Sequence, residues 1–457
     1  MPAPSLTLAR AAGRLSRGLG RGGGTSLPGK LLLRMRPQAV AELAADLPRG
    51  ATLISATNGK TTTARLVSAA ARSAGWRLVA NTAGANLLSG VATALLDGTA
   101  AEPDADAALF EVDEAALPEV ARQLRPRVLV LMNLFRDQLD RYGELERLAA
   151  DWAAMIDELP ADTTLVLNAD DPAVAELDDG RRKTVLFGLD DPALALPALP
   201  HAADSTRCRR CGARLTYDQV IVGHMGHWSC PDGHLARPTP DVRAVQVRLE
   251  GTGGLTLRVA TPAGEIEASP RLPGVHNAYN VTAAIATALA MGVPANGLGE
   301  AVSAAAAAFG RGERVRIGGT ELVLLLAKNP VGANETVRTV LMDEGPLHLL
   351  IALNDRTADG HDVSWIWDVD YEPLLGRIAR LTLTGERAYD LALRFRYAGV
   401  PREALHVEPD MGCALDAAVA GAGPDAPVYV LPTYTAMLGM REILVERGAA
   451  TAFWRDG

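Results

Sequence analysis

Residues 53 to 67, LISATNGKTTTARLV, restrict the fold more than any other stretch: an apolar run enters Ala56-Thr57-Asn58-Gly59-Lys60-Thr61-Thr62, and a helical pattern leaves it. A strand, a Gly-Lys-Thr-Thr turn and a helix make an anion cradle, because the loop N–H groups and the helix N-terminus face the phosphates. In such a cradle Lys60 reaches the terminal phosphates, and a hydroxyl from Thr61 or Thr62 ligates Mg²⁺. Strict P-loop spacing asks for glycine at 54, where the chain has Ile54. The alternative is a strand-to-helix turn with an incidental Gly-Lys. The flanking elements favour ATP binding.

The strand-then-helix unit recurs. Apolar runs at 51–56, 107–112, 128–132 and 164–167 are each followed by helix-compatible sequence, which implies an α/β fold with a parallel sheet covered on both faces. Residues 201–240, rich in Cys, His, Gly and Pro, read as an inserted module. Strand-like runs resume at 245–247 and 255–259, and a second alternation begins near 315, with runs at 322–326, 347–353, 381–384 and 428–431. The expected organisation is a basic N-terminal segment at 1–49, a central P-loop domain at 50–314 carrying the 201–240 insert, and a Rossmann-like α/β domain at 315–457.

A net charge of −9 over 457 residues argues against a general nucleic-acid binder. Yet seven cations (Arg10, Arg14, Arg17, Arg21, Lys30, Arg34, Arg36) precede the first acid, Glu42. With no run of 18 apolar residues and no signal-peptide pattern, a cytoplasmic location is expected. The basic head reads as a solvated, partly frayed terminus, or else as a segment that meets anionic lipid at the inner face of the membrane. Of four cysteines, Cys413 stands alone and reads as a small buried residue, while Cys208, Cys211 and Cys230 cluster.

These motifs resemble the Mur ligase superfamily, which includes the folylpolyglutamate synthases. ATNGKTT is similar to its Thr-Asn-Gly-Lys-Thr-Thr loop, with Ala56 where glycine is usual. FEVDEA puts Glu111 where the superfamily ends a strand with a Mg²⁺-binding Glu. NLFRDQLDRYG (133–143) resembles the Asp-His-Leu-Asp-Arg segment, with Gln138 for His. LNADDP (167–172), PGVHNAYNVTAA (273–284, with Asn277), GRGERV (310–315, with Arg311) and AKNPVGANE (327–335, with Lys328 and Asn329) follow in order. The resemblance implies that a carboxylate takes the γ-phosphate of ATP and an amine then displaces it. Thr57, Asn58, Gly59, Lys60, Thr61, Thr62, Asn277, Arg311, Lys328 and Asn329 would lie at the nucleotide, and Thr61 and Glu111 at Mg²⁺. A helix-start turn around Pro330 is the plainer reading of the last of these segments. No lysine lies between Lys60 and Lys183 to take the place of the carbamylated lysine of many such ligases.

About 50 residues precede the loop, so a UDP-sugar-binding domain is not expected there. Cys208-x-x-Cys211 and Cys230-Pro-Asp-Gly-His234 resemble the two knuckles of a zinc ribbon, and a Mur-like central domain so interrupted is similar to the MurT family. His234, or else His227 or His224, would be the fourth ligand. A vestigial ribbon without metal is the alternative. The MurT resemblance implies a GatD-like glutaminase partner, lipid II as substrate, and amidation of the D-glutamate α-carboxyl with ammonia from the partner. In LNDRTADGHDVSWIWDVDYE (353–372), Asp355 would complete the partner's Cys-His triad, with Asp368 as second choice. The rivals are a folylpolyglutamate synthase-like ligase, which adds glutamate, and a catalytically silent ATP-binding scaffold.

Overall fold

The computed structural model describes residues 6–11, 13, 26–81, 84–137, 145–305, 310–423 and 426–450. Gln138 and the rest of its segment to Gly143, like Arg14, Arg17 and Arg21, lie outside them.

Unbroken apolar runs make strands buried on both faces, the mark of a parallel sheet. β1 (Ala51–Ser55), β2 (Leu78–Ala80), β3 (Ala107–Glu111), β4 (Val128–Leu131), β5 (Thr164–Asn168) and β6 (Thr184–Leu189) follow that rule; every residue of β1, β3 and β4 is buried. A separate hairpin, β7 (Thr216–Val222) and β8 (Met225–Ser229), comes from the insert. β9 (Val242–Leu249), β10 (Leu255–Thr261) and β11 (Gly264–Ala268) then extend the sheet to the order β11-β10-β9-β6-β5-β4-β1-β3-β2, in which only β9–β10 and β10–β11 pair antiparallel.

A second sheet holds β12 (Arg311–Ile317), β13 (Thr320–Leu325), β14 (Leu347–Ala352), β15 (Ile378–Thr384), β16 (Leu405–Val407) and β17 (Val428–Pro432), in the order β12-β13-β17-β14-β15-β16. Its strands are parallel except at the β12–β13 hairpin. The expected 314/315 division falls inside β12, because the hairpin that opens the second sheet starts at Arg311.

The basic head is less solvated than its composition suggests. α1 (Leu27–Met35) and α2 (Ala39–Ala44) pack on α3 (Leu88–Ala101), burying Leu32, Ala39 and Val40. Gly29 permits this contact: its N–H donates to Thr93 Oγ1 at 2.9 Å, and a Cβ there would collide with the Ser89 carbonyl. Among the described residues no helix is long and apolar enough to cross a membrane.

Candidate functional site

The loop after β1 turns into the helix Lys60–Ser73 through Gly59, whose φ of +96° suits glycine alone. A Cβ at Gly59 would strike Asn280, on the helix Val275–Met291. That helix closes one side of the cradle. Asn277 is buried in its first turn, donating to the Pro273 carbonyl at 2.7 Å and accepting from Asn280 at 2.8 Å. Thr57 accepts the Phe135 N–H at 3.0 Å. Asn58 and Asn133 exchange two hydrogen bonds, each 2.9 Å. Thr61 is half-buried in the first turn, and the buried Thr62 hydroxyl accepts from Arg311 at 2.9 Å.

Lys60 reaches the Glu114 carboxylate at 2.7 Å and the Ala56 carbonyl. Burial alone would lower Lys60, but Glu114 prevails and holds it above the ordinary lysine value. Glu114 is correspondingly lowered, its burial outweighed by Lys60 and then Lys328. Lys328 forms an ion pair with Asp137, which burial nevertheless pushes above the usual carboxylate range. Beside it Asn329 and Asn58 exchange side-chain hydrogen bonds at 3.1 and 3.3 Å. Asn329 also caps the helix Pro330–Met342. The plainer reading of that segment and the contact with the loop therefore hold together.

Glu111 ends β3, its backbone pinned by Asn81 at 2.8 and 3.0 Å. Its carboxylate is buried and one oxygen, Oε2, has no hydrogen-bond partner. A buried carboxylate oxygen without a partner is costly unless a cation completes it, so the donor set fits Mg²⁺. Arg311 and Tyr434 lie near this group.

In the insert, the ligand atoms of Cys208, Cys211, Cys230 and His234 all lie within 4.8 Å of one another. Cys211 Sγ is 3.5 Å from Cys230 Sγ, which is 3.9 Å from His234 Nδ1. Tetrahedral zinc with bonds of about 2.3 Å to sulfur sets ligand edges of about 3.8 Å, so this set fits. His227 is bonded to the Leu189 carbonyl at 2.9 Å, and His224 is buried against Phe135, which leaves His234 as the fourth donor.

Asp355 follows β14 at its C-terminal end and pairs with Arg387 at 3.1 Å. The other acids of the stretch do different work. Asp359 is buried and accepts both the N–H (2.8 Å) and the hydroxyl of Thr435. Asp362 caps Ser364 N at 2.8 Å, and Asp368 lies 3.3 Å from Arg136. Trp365 packs into the core below, whereas Trp367 is 45% exposed and meets Tyr397 edge-on at 5.4 Å.

Cys413 is exposed rather than buried: it sits in the first turn of Met411–Ala422, where its N–H donates to Asp410. Sequence reading missed Asn81, Glu114, Asn133, Asp137, Asn280 and Tyr434 as single residues. All but Asn81 lay within or beside segments that the sequence singles out, Tyr434 in LPTYTAMLGMR (431–441), which by itself names no role.

Comparison with known proteins bears on this geometry. The Mur ligase middle domain matches residues 54–214, and the MurT ligase C-terminal domain matches 326–437. A Streptococcus pneumoniae protein named lipid II isoglutaminyl synthase (glutamine-hydrolyzing) subunit MurT is 31% identical over 452 residues, 96% of this chain and 97% of its own. The chain belongs to the MurT family. The MurT subunit of Staphylococcus aureus strain N315 is 30% identical over 398 residues, covering 87% of this chain and 88% of that one. Among solved structures, a pseudomurein peptide ligase type C from Methanothermus fervidus superposes with a TM-score of 0.68 at 19% identity, over 87% of this chain and 79% of that one. A Mycobacterium tuberculosis folylpolyglutamate synthase complexed with ADP and AMPPCP gives 0.61 at 18%, over 94% and 99%. At such identities these two show the shared ligase fold, and membership of the MurT family rests on the sequence relatives.

Proposed function

We propose that the chain is the ligase subunit of a lipid II isoglutaminyl synthase. It amidates the α-carboxyl of the stem-peptide D-glutamate with ammonia from a GatD-like glutaminase. ATP with Mg²⁺, when bound, supplies the phosphoryl group that turns the carboxylate into an acyl phosphate, which ammonia displaces. Thr57 to Thr62, Asn277, Arg311, Lys328 and Asn329 would hold the nucleotide, and Thr61 and Glu111 the Mg²⁺. Fixed cations and loop N–H groups stabilise developing phosphate charge without reorganising at the moment of reaction. Lys60 is kept charged by Glu114, so no proton need be gained when phosphate arrives. Zinc in the Cys208, Cys211, Cys230, His234 set would be structural.

Asp355 would orient the partner's catalytic His, a role that needs a carboxylate at an accessible edge. The exposed Trp367 and Tyr397 would help seat that partner, since aromatic residues anchor interfaces. Membrane contact would come from the basic head. A folylpolyglutamate synthase reading accounts for the fold but not for the insert or the Trp-Ile-Trp-Asp stretch.

The kinship with MurT subunits over nearly the whole chain carries this reading. The test is phosphate release. Release that needs both lipid II and ammonia supports it, dependence on a folate and glutamate supports the synthase, and no turnover supports a scaffold.

A further inference from the structure

Three neighbouring strands of the second sheet, β13, β17 and β14, run parallel and end at the same edge, where a sheet of this kind displays its functional groups. β13 leads to Lys328 and Asn329 beside the phosphate loop, and β14 leads to Asp355. Between them β17 leads into Thr433, Tyr434 and Thr435, where the helix Tyr434–Glu446 starts. The function proposed above gives the two outer ends work and leaves the middle one without any.

The backbone around Tyr434 is fixed on both sides. Thr433 donates its N–H to the Ala352 carbonyl at 2.9 Å and accepts the Asn354 N–H on its hydroxyl at 3.0 Å. Thr435 donates its N–H to Asp359 at 2.8 Å and accepts from the Asn354 side chain at 3.0 Å. One turn into the helix, Met437 packs so closely over Gly310 that a Cβ there would collide with its sulfur. The helix start is thereby clamped over the turn that carries Arg311 to Thr62 of the phosphate loop.

Between two bonded threonines, the Tyr434 side chain is left free. It is half-buried, and its hydroxyl makes no hydrogen bond to a described residue. A phenol withdrawn from water normally has a partner. The charges that act on this one are Glu111, then Arg311, then Asp359. Glu111 Oε2, unpartnered as well, is the oxygen that the site offers to Mg²⁺. Burial, and then Glu111, hold the phenol above its ordinary value, so it stays a donor. Its surroundings are those the reacting carboxyl group must enter to meet the metal and the phosphates.

We infer that the Tyr434 hydroxyl donates a hydrogen bond to the carbonyl oxygen of the acyl phosphate and stabilises that oxygen as the amine attacks. The inference rests on the function proposed above. The nitrogen lone pair forms the C–N bond, and the carbonyl π pair moves onto the oxygen that Tyr434 holds. When that pair returns, the C–O bond to phosphate breaks, the phosphate keeps the bonding electrons, and it takes one N–H proton. Tyr434 keeps its own proton throughout. A donor fixed before the reaction stabilises the developing charge without having to reorganise.

The test uses the intact complex of this chain with its glutaminase, lipid II and ATP, and the variant Tyr434→Phe, which removes the hydroxyl alone. Amide formation should fall about a hundredfold, by the same factor whether glutamine or ammonium chloride supplies the nitrogen. ATP binding by calorimetry should stay within about twofold and the melting temperature near the parent's, because the hydroxyl bonds nothing in the chain itself. Amide formation within about threefold of the parent's overturns the inference. A loss confined to glutamine overturns it too, since that would put Tyr434 at the glutaminase instead. So does a loss matched by weaker ATP binding or a lower melting temperature. If the parent complex forms no amide from either nitrogen source, the proposed ligase function fails instead.

Discussion

Lys328, just past β13 of the second sheet, forms an ion pair with Asp137, in the loop that follows β4 of the first. The two asparagines Asn58 and Asn329 are bonded alongside. These two contacts, one charged and one neutral and both little exposed, join the sheets at the phosphate loop beside the Arg311–Thr62 hydrogen bond. Losing one partner of such a pair leaves the other buried without compensation. Lys328→Met should therefore cost about 2 kcal/mol in denaturant unfolding, less than for a wholly buried pair because Lys328 keeps some solvent. Adding Asp137→Asn should recover more than half of that loss. Strictly additive losses would mean that the pair is not coupled.

A second expectation concerns Lys60, which Glu114 keeps charged. Removing a fixed cation from a phosphoryl-transfer site typically costs about a thousandfold or more in turnover. Lys60→Ala should lower lipid II-dependent phosphate release by that order, and should also cost stability, because Glu114 would be left buried without its cation. Product formed at the parental rate would end the proposal that this lysine serves the nucleotide.

The sequence made some of this architecture readable and concealed the rest for physical reasons. Strands buried on both faces announce themselves as unbroken apolar runs, so β1, β3, β4 and β14 were plain. The Cys-x-x-Cys spacing fixes a knuckle locally, so the metal set could be narrowed to three histidines. Glu114 could not be singled out, because Asp113, Glu114 and Glu111 look alike until the fold turns one toward Lys60. Tyr434 and Asn81 come from elements distant in sequence, and nothing local marks them. The N-terminal helices were hidden by composition: glycines and arginines dominate the head, while the close approach of α1 to α3 uses the missing Cβ of Gly29. Cys413 misled because its exposure follows from where Asp410 starts a helix.

The metal set makes its own prediction. The chain should purify with about one zinc, and a chelator should remove it with a fall in melting temperature. Cys230→Ser should abolish zinc retention, and His234→Ala should weaken it, as measured by metal content of the purified protein. Undiminished zinc in Cys230→Ser would exclude this cluster as the site.

Asp355 can be separated from its acidic neighbours. A triad carboxylate that orients a histidine is worth about 10⁴-fold in turnover. In the complex, Asp355→Asn should lower glutamine-driven amidation by up to that factor, while ammonium-driven amidation stays near the parental rate. Asp368→Asn should change either rate by no more than about threefold, since its Arg136 contact is partly exposed. If Asp368→Asn gave the large loss and Asp355→Asn did not, the two assignments would exchange.

The pH dependence of stability should carry the mark of Glu335. This residue lies on the helix Pro330–Met342, buried, with Oε2 unpartnered, and burial raises its carboxyl to about 7. The unfolded chain releases that proton near the ordinary value of 4.5, whereas the folded chain retains it to about 7. Between those values the unfolded state holds fewer protons, so stability falls as pH rises and levels off above about 7. The shift corresponds to about 3 kcal/mol at most. Glu335→Gln removes the titration while keeping the shape. Relative to the parent, the variant should gain stability as pH rises from about 5 to 8, as followed by denaturant unfolding. A difference that stayed flat across this range would show that Glu335 ionises normally in the folded chain.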